Sequence, residues 1–241
     1  MSSRKSSKVI DTLGVLRTPM PWHKPSKTEG GDELVILMHG LWRSYRAMDP
    51  IVKAVTQNGY SALNIPYPSY KESLEEMVMR LHRTIEVERE HYSKIHFVTH
   101  SLGGVIVRNY LHNYDHTDSS RVVMLAPPLR GSKIVDWLQG AKLNFVLGPA
   151  GSFLSTESMA REPDFLPTQI ETAVIMGNRV RIPLLHKIID DESDGIVSVE
   201  SGKAGGVKEF KVISADHTLI TLHEEVLAGV PRFLKTGSLQ P

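Results

Sequence analysis

Cysteine is absent from this sequence of 241 residues. Its absence excludes disulfide bonds, zinc sites built on thiolates and catalysis by a cysteine nucleophile. The sequence also lacks an excess of charge of one sign, since 28 Lys and Arg face 27 Asp and Glu. We therefore expect no nucleic-acid partner, because phosphate backbones are bound by surfaces rich in Lys and Arg.

Long apolar stretches are missing as well. No window approaches the roughly 18 apolar residues that a membrane-spanning helix needs, so we expect no transmembrane segment. Contact with a membrane surface stays open. The first eight residues are polar and basic, and the apolar stretch of a secretory signal does not follow them. The location expected from these features is the cytoplasm, whereas the oligomeric state is left open.

What is present is typical of a globular protein, with 41% hydrophobic and 23% charged residues. Prolines and glycines interrupt residues 1–31, so we expect an irregular N-terminal arm there, with at most one strand near 9–15. Residues 32–241 would then form one domain. Within it, residues 127–171 are longer than an ordinary connection and predict either a small insertion that covers the substrate or a surface excursion.

Apolar runs alternate with helical patterns throughout residues 32–241. Four of the runs, the first, third, fourth and fifth, are nearly continuous in apolar residues, which predicts strands buried on both faces. The alternation therefore predicts an α/β fold with a mostly parallel central sheet, helices on both faces and an active site beyond the carboxyl ends of the strands. The runs are 34–38, 60–65, 95–99, 121–126, 172–176 and 207–213, and the helical patterns lie at 72–90, 103–113, from near 132 and at 219–233.

The third run continues into the segment THSLGG at 99–104, and a helical pattern follows directly. A strand, a tight turn and a helix in this order predict a nucleophile elbow, in which a strained backbone presents the serine hydroxyl above the sheet. Gly103 matches the G-x-S-x-G pattern of such elbows, whereas Thr99 stands where the pattern has glycine. Ser101 is therefore the candidate nucleophile, and a serine that only caps the helix is the alternative. His100 is expected to point away from Ser101.

Two backbone N–H groups are candidates for an oxyanion hole. The N–H of Leu102 begins the helix after the serine, where the helix dipole favours negative charge. His39, Gly40 and Leu41 follow the first apolar run. Because glycine permits a close approach of the backbone, the N–H of Leu41 is the expected second donor.

A serine nucleophile needs a base and an acid that orients the base. Among the 11 histidines, His217 follows the last predicted strand at the carboxyl edge and is the candidate base, with His223 as the alternative. Asp194 precedes a glycine and an apolar segment, which predicts a sharp turn that presents its carboxylate. Asp216, directly beside the histidine, is the alternative acid.

These motifs together resemble the α/β-hydrolase superfamily, and particularly its compact bacterial lipases and esterases. The chain order Ser101, Asp194, His217 is the order found in that superfamily. The resemblance implies an ester hydrolase that forms an acyl-enzyme, has a small cap or none, and needs no cofactor and no metal. The matching motifs are His39-Gly40-Leu41, residues 99–104, Ala126-Pro127-Pro128 with Gly131-Ser132, Ser193-Asp194-Gly195-Ile196-Val197, and His217.

For the substrate we expect contacts from His39, Gly40, Trp42 and Tyr67, and an acyl pocket that includes residues 141–155. Three alternatives stay open. The same three side chains would serve an acyltransferase or a thioesterase, and they would serve a lipid deacylase that acts at a membrane surface. A binding module that has lost its chemistry on this fold is the third alternative.

Overall fold

The computed structural model describes residues 25–114, 116, 120–181 and 188–241. In this part of the chain, the strands are β1 (Ser26–Thr28), β2 (Glu33–Met38), β3 (Ser61–Ile65), β4 (Lys94–His100), β5 (Arg121–Leu125), β6 (Glu171–Gly177) and β7 (Glu209–Ile213). They form one sheet in the order β1-β3-β2-β4-β5-β6-β7. β1 pairs antiparallel with β3, and all other neighbours pair in parallel.

The six predicted apolar runs are β2 to β7, so the predicted α/β fold with a mostly parallel sheet is confirmed. β7 begins two residues later than its run predicts. The predicted strand near 9–15 lies outside the described residues. The described end of the predicted irregular arm contains β1, which adds a short antiparallel edge strand to the sheet.

The helices of the described residues are α1 (Asp49–Thr56), α2 (Leu74–Glu88), α3 (Leu102–Asn113), α4 (Lys133–Gly140), α5 (Asn144–Phe153), α6 (Thr156–Met159) and α7 (Glu224–Thr236). We predicted no helix at α1, α5 or α6. The last helix begins at Glu224 instead of near 219, because a separate 3-10 turn over Ile220–Leu222 precedes it.

Local sequence explains the clearest helix, α2. Ser73 closes a capping box, since its hydroxyl accepts the Glu76 N–H at 3.2 Å and the Glu76 carboxylate accepts the Ser73 N–H at 2.8 Å. The apolar side chains then recur along one face and are buried, which stabilises the folded state by about 1.5 to 3 kcal/mol for each large side chain. These buried residues are Leu74, Met77, Val78, Leu81 and Ile85.

The core lies on both faces of the sheet because successive strand residues point to opposite faces. In β2, Leu34 and Ile36 join the core beneath α2 and α3, whereas Val35 and Leu37 join the core beneath α1 and α7. A strand covered on both sides is apolar on both faces, as β2 is from Leu34 to Met38.

The parallel arrangement brings the carboxyl ends of β2, β4, β6 and β7 to one edge of the sheet. The segments that carry the predicted site follow these strands. The connection from β5 to β6 contains α4, α5 and α6, so about half of the predicted long segment 127–171 is helical.

Candidate active site

Ser101 lies at the turn between β4 and α3. Its backbone has φ 54° and ψ −121°, a conformation that a non-glycine residue rarely adopts. The Ser101 N–H donates to the Leu125 carbonyl at 2.9 Å, which ties the turn to the neighbouring strand. A Cβ at Gly103 would lie 2.6 Å from the Met38 carbonyl oxygen, so the turn needs a glycine there for close packing. This is the geometry of the predicted elbow.

The three predicted catalytic side chains meet at this edge. The Ser101 Oγ lies 3.1 Å from the His217 Nε2, and the His217 Nδ1 lies 2.6 Å from the Asp194 Oδ2. The Asp194 side chain is fully buried, and its Oδ1 accepts the N–H groups of Ile196 at 3.0 Å and Val197 at 2.8 Å. These bonds orient a carboxylate that accepts the Nδ1 proton, so the Nε2 of the neutral imidazole is free to accept the serine proton.

Asp216, the alternative acid, and His223, the alternative base, form other hydrogen bonds. The Asp216 carboxylate accepts the N–H groups of Thr218 and Leu219, which orders the turn after the candidate base. His223 caps α7, because its Nδ1 accepts the Glu225 N–H at 3.3 Å. Neither side chain forms a hydrogen bond with Ser101 or Asp194 in the described structure.

The loop after β2 approaches the elbow closely. A Cβ on Gly40 would lie 2.9 Å from the His100 Nδ1 and 3.0 Å from the Ser101 Cβ, so only glycine fits this approach. Leu41 follows directly, and the next residue, Trp42, has a positive φ of 56° and donates its N–H to the Ser69 Oγ at 3.1 Å.

The loop is thus ordered on both sides of the Leu41 N–H. The N–H of Leu102 belongs to the first residue of α3, directly after the serine. The two predicted oxyanion donors therefore belong to the two backbone segments that meet at Ser101, and their role stays a prediction.

Two of the four predicted substrate contacts need correction. His39 and Tyr67 are each 1% exposed, and their rings stack at 4.1 Å between centroids. The Tyr67 hydroxyl donates to the His39 carbonyl, and the His39 Nδ1 donates to the Gly40 carbonyl at 2.9 Å. Because both rings are buried beneath the loop, they support its backbone and cannot contact a substrate in this conformation.

A cleft of about 310 Å³ opens at Ser101 and His217. Gly40 and Trp42, the other two predicted substrate contacts, line it, and their contact with a substrate stays a prediction. From the predicted acyl segment 141–155, Leu147 and Leu154 line it, whereas Phe145 is 82% exposed and lies outside. Most of the remaining wall is apolar and comes from α4 and from the turn after Asp194. These residues are Ile134, Val135, Leu138, Ile196 and Val197.

Burial keeps two histidines of the site neutral at neutral pH. It lowers the pKa of His39 to about 4, with a smaller contribution of the same sign from the Arg43 charge. It also holds the pKa of His100 well below its ordinary value, and the charges of His217 and Arg43 act in the same direction.

His100, which we expected to point away from Ser101, contacts the candidate base. Its Nε2 lies 2.9 Å from the His217 carbonyl oxygen, and the two rings are 4.9 Å apart between centroids. This contact joins residues 117 positions apart, so no local pattern in the sequence could have indicated it.

Across the described residues, no three His, Asp or Glu side chains converge in a way that would hold a metal ion. The helices of the described part are also too short or too polar to cross a membrane.

Sheet order, helices on both faces and the elbow after β4 give the chain the α/β-hydrolase fold. A family model described as "Putative serine esterase (DUF676)" matches residues 28–128, which include Ser101 but neither Asp194 nor His217. The search of curated proteins found no match.

Solved structures of bacterial hydrolases resemble the chain over most of its length. The mature lipase BlEst2 of Bacillus licheniformis has a TM-score of 0.71 and 19% identity, covering 91% of this chain and 96% of that chain. The phospholipase PlaB of Legionella pneumophila has a TM-score of 0.65 and 16% identity, covering 88% of this chain and 60% of that chain. The esterase EaEST of Exiguobacterium antarcticum has a TM-score of 0.60 and 14% identity, covering 88% of this chain and 95% of that chain. At these identities the likeness shows the fold, and with the family match it supports an ester hydrolase.

Proposed function

We propose that the protein is a serine esterase that cleaves carboxylic esters through an acyl-enzyme on Ser101. The observation that carries this proposal is the continuous set of hydrogen bonds from the Ser101 Oγ through His217 to the buried Asp194 carboxylate. In the first step, His217 Nε2 takes the serine proton while Oγ attacks the ester carbonyl. The imidazolium then protonates the leaving alcohol, and the acyl group stays on Oγ.

The oxyanion of each tetrahedral intermediate would accept the N–H groups of Leu41 and Leu102. A water molecule, deprotonated by His217, attacks the acyl-enzyme in the second half, and the serine regains its proton as the acid leaves. Asp194 holds the imidazole in the tautomer with a proton on Nδ1 and stabilises the imidazolium that forms twice in each cycle. The apolar cleft would hold the acyl chain.

The test is hydrolysis of p-nitrophenyl esters from acetate to palmitate by the wild type and by Ser101→Ala. We expect the variant to lose at least about 10³-fold in kcat, because removal of the nucleophile leaves only binding and the oxyanion hole. Ser152→Ala, a change on α5 outside the cleft, is the matched control and should stay near the wild-type rate.

A fluorophosphonate probe gives a second readout that needs no chosen substrate. It should label the wild type and Ser152→Ala but not Ser101→Ala. Equal hydrolysis by the wild type and Ser101→Ala would refute the nucleophile. Failure of the probe to label the wild type would instead favour a binding module without chemistry.

A lipid deacylase is the second candidate, and exposed aromatic side chains favour it. Trp42, which lines the cleft, is 53% exposed, and its Nε1 donates to the Val146 carbonyl at 3.0 Å. Phe145 is 82% exposed, and Trp137 on α4 is 51% exposed. Exposed aromatic side chains beside an apolar cleft fit a lipid surface that delivers its acyl chains to the cleft.

Cosedimentation with phosphatidylcholine vesicles, followed by release of fatty acid, tests this candidate. Phe145→Ser should lower both the bound fraction and the rate on vesicles, while hydrolysis of soluble p-nitrophenyl acetate stays near that of the wild type. The matched control is Val87→Ser on α2, which is 64% exposed and lies outside the cleft. Equal vesicle binding by wild type and Phe145→Ser would favour an esterase for soluble substrates.

A further inference from the structure

His100 is a buried histidine that the proposed reaction does not use. It is the last residue of β4, directly before Ser101, and it is 2% exposed. A carbonyl oxygen can only accept a hydrogen bond, so the contact of its Nε2 with the His217 carbonyl at 2.9 Å requires a proton on Nε2. The Nδ1 of the neutral ring is then unprotonated, and it has no hydrogen-bond partner in the described structure.

This contact holds one side of the His217 backbone. On the other side, the His217 N–H donates to the Asp194 carbonyl at 3.2 Å. The peptide groups before and after the candidate base are thus tied to the nucleophile turn and to the acid turn. The titratable and charged groups that face His100 are the His217 ring, Arg43 and His39, which all oppose a positive charge on its ring.

We propose that His100 is a positioning residue, which donates its Nε2 proton to the His217 carbonyl and so keeps the His217 imidazole aligned between Ser101 and Asp194. The inference rests on the proposed function, because alignment matters only if His217 transfers protons. Misplacement of a catalytic group by about 1 Å costs about 100-fold in rate, so a single backbone contact at this position has a measurable effect.

Two substitutions by amide side chains distinguish the effect of the hydrogen bond from the effect of side-chain volume at this position. His100→Gln extends its amide nitrogen about as far as the imidazole Nε2, whereas the amide nitrogen of His100→Asn lies near the position of Nδ1 and cannot reach the carbonyl. We expect His100→Gln to retain most of kcat and His100→Asn to lose about 10- to 100-fold in kcat, with KM within a factor of two. Tm measurements on both variants show whether they fold.

The second readout is the proton NMR signal of the His217 Nδ1–H, which the 2.6 Å bond to Asp194 should shift far downfield. It should be present in wild type and His100→Gln, and broadened by exchange in His100→Asn. Equal rates and equal spectra for the two folded variants would overturn the inference. If Ser101→Ala hydrolyses esters as fast as the wild type, the proposed function fails, and the spectra still decide the role of His100.

A different observation concerns charge at the cleft. Among the described residues that line it, Arg43 carries the only permanent charge, and no carboxylate of the described chain lies within ion-pair distance of its guanidinium. Arg43 is exposed, whereas the apolar residues Val135, Leu147 and Leu154 are buried. The cleft is therefore apolar within and cationic at its rim.

We infer that the ester substrate carries an anionic group, a phosphate or a carboxylate, on its alcohol portion, where Arg43 would pair with it. This also rests on the proposed function. A guanidinium forms bidentate hydrogen bonds with either anion, and it is left without a partner when the substrate is neutral.

Three soluble short-chain substrates test this inference: a 1-acylglycerol, its 3-phosphate and an O-acyl lactate with the same acyl chain. The wild type should prefer one anionic ester over the 1-acylglycerol by about 10-fold in kcat/KM, mainly through KM. Arg43→Gln should abolish this preference. Arg46→Gln, which removes an exposed arginine outside the cleft, is the control and should keep it.

The two anionic esters distinguish a phosphate from a carboxylate as the preferred group. The inference is overturned if the wild type shows no preference for either anion, or if Arg43→Gln keeps the wild-type preference. Hydrolysis of the neutral ester by the wild type, with none by Ser101→Ala, shows independently that the proposed function holds.

Discussion

The catalytic edge, formed by Ser101, Asp194 and His217, differs from the α4–α6 segment that lines much of the same cleft. At the candidate catalytic edge, backbone hydrogen bonds hold Ser101, Asp194 and His217, and the aspartate side chain is fully buried. The α4–α6 segment exposes large side chains such as Trp137 and Phe145. If the proposed function holds, the carboxyl edge of the sheet supplies the chemistry and the α4–α6 segment selects the substrate.

The largest effect is expected at the catalytic edge. Asp194→Asn should lower kcat by about 10³- to 10⁴-fold, because an amide in this position cannot hold the His217 tautomer or stabilise the imidazolium. The measurement is the rate on a short p-nitrophenyl ester. Asp216→Asn is the control and should stay within a few-fold of the wild type, since its carboxylate only orders a turn. An equal loss of kcat in both variants would show that the assignment of Asp194 as the acid is wrong.

Burial of His39 beneath the loop after β2 predicts a dependence of stability on pH. An unfolded histidine takes up a proton near pH 6.5, but folded His39 does so only at about pH 4. Between these values the unfolded state binds more protons, so the free energy of unfolding falls as the pH falls. His39→Gln should reduce the loss between pH 7.5 and 4.5 by about 2 to 3 kcal/mol.

Urea denaturation at the two pH values measures this difference. His91→Gln, which removes an exposed histidine, should keep the wild-type pH dependence. His96 and His100, whose pKa values burial also lowers, would still contribute in both variants. A pH dependence unchanged by His39→Gln would show that His39 is accessible to protons in the folded protein.

A moderate effect is expected within the cleft. Ile134 is half-buried on α4 and lines the cleft, so Ile134→Trp should shorten the space for an acyl chain. We expect the ratio of kcat/KM for octanoate to that for acetate to fall about 10-fold. Ile134→Val should leave the ratio near that of the wild type. An equal loss of kcat/KM for octanoate and acetate would mean that α4 affects the chemical step as well as the choice of substrate.

The smallest effect is expected on the outside of the α4–α6 segment. Lys133 pairs with Asp190 at 2.7 Å and with Asp191 at 2.8 Å, and all three side chains are exposed. Because exposed ion pairs contribute little, Lys133→Met should change Tm by no more than about 3 °C. A larger drop in thermal unfolding experiments would show that this contact anchors α4.

The elements that the sequence predicted best are those determined by local patterns. The runs of β2, β4, β5 and β6 are nearly continuous in apolar residues, and α2 repeats apolar residues at helical spacing. The α5 helix was missed because Gly148 and Pro149 interrupt its pattern, and the chain passes through Gly148 at φ 68° before the helix resumes. The short edge strand β1 has no apolar pattern, since all three of its residues are exposed.

By itself, the sequence determined the sheet and predicted the serine, the aspartate and the histidine of the candidate site, because each follows a strand whose carboxyl end lies at the same edge of the sheet. Only the tertiary structure decided that His39 and Tyr67 are buried beneath the loop and that the His100 ring contacts the His217 carbonyl. The reason is physical. Burial and hydrogen bonds between distant residues depend on how the elements pack, whereas strand and helix patterns depend on neighbours along the chain.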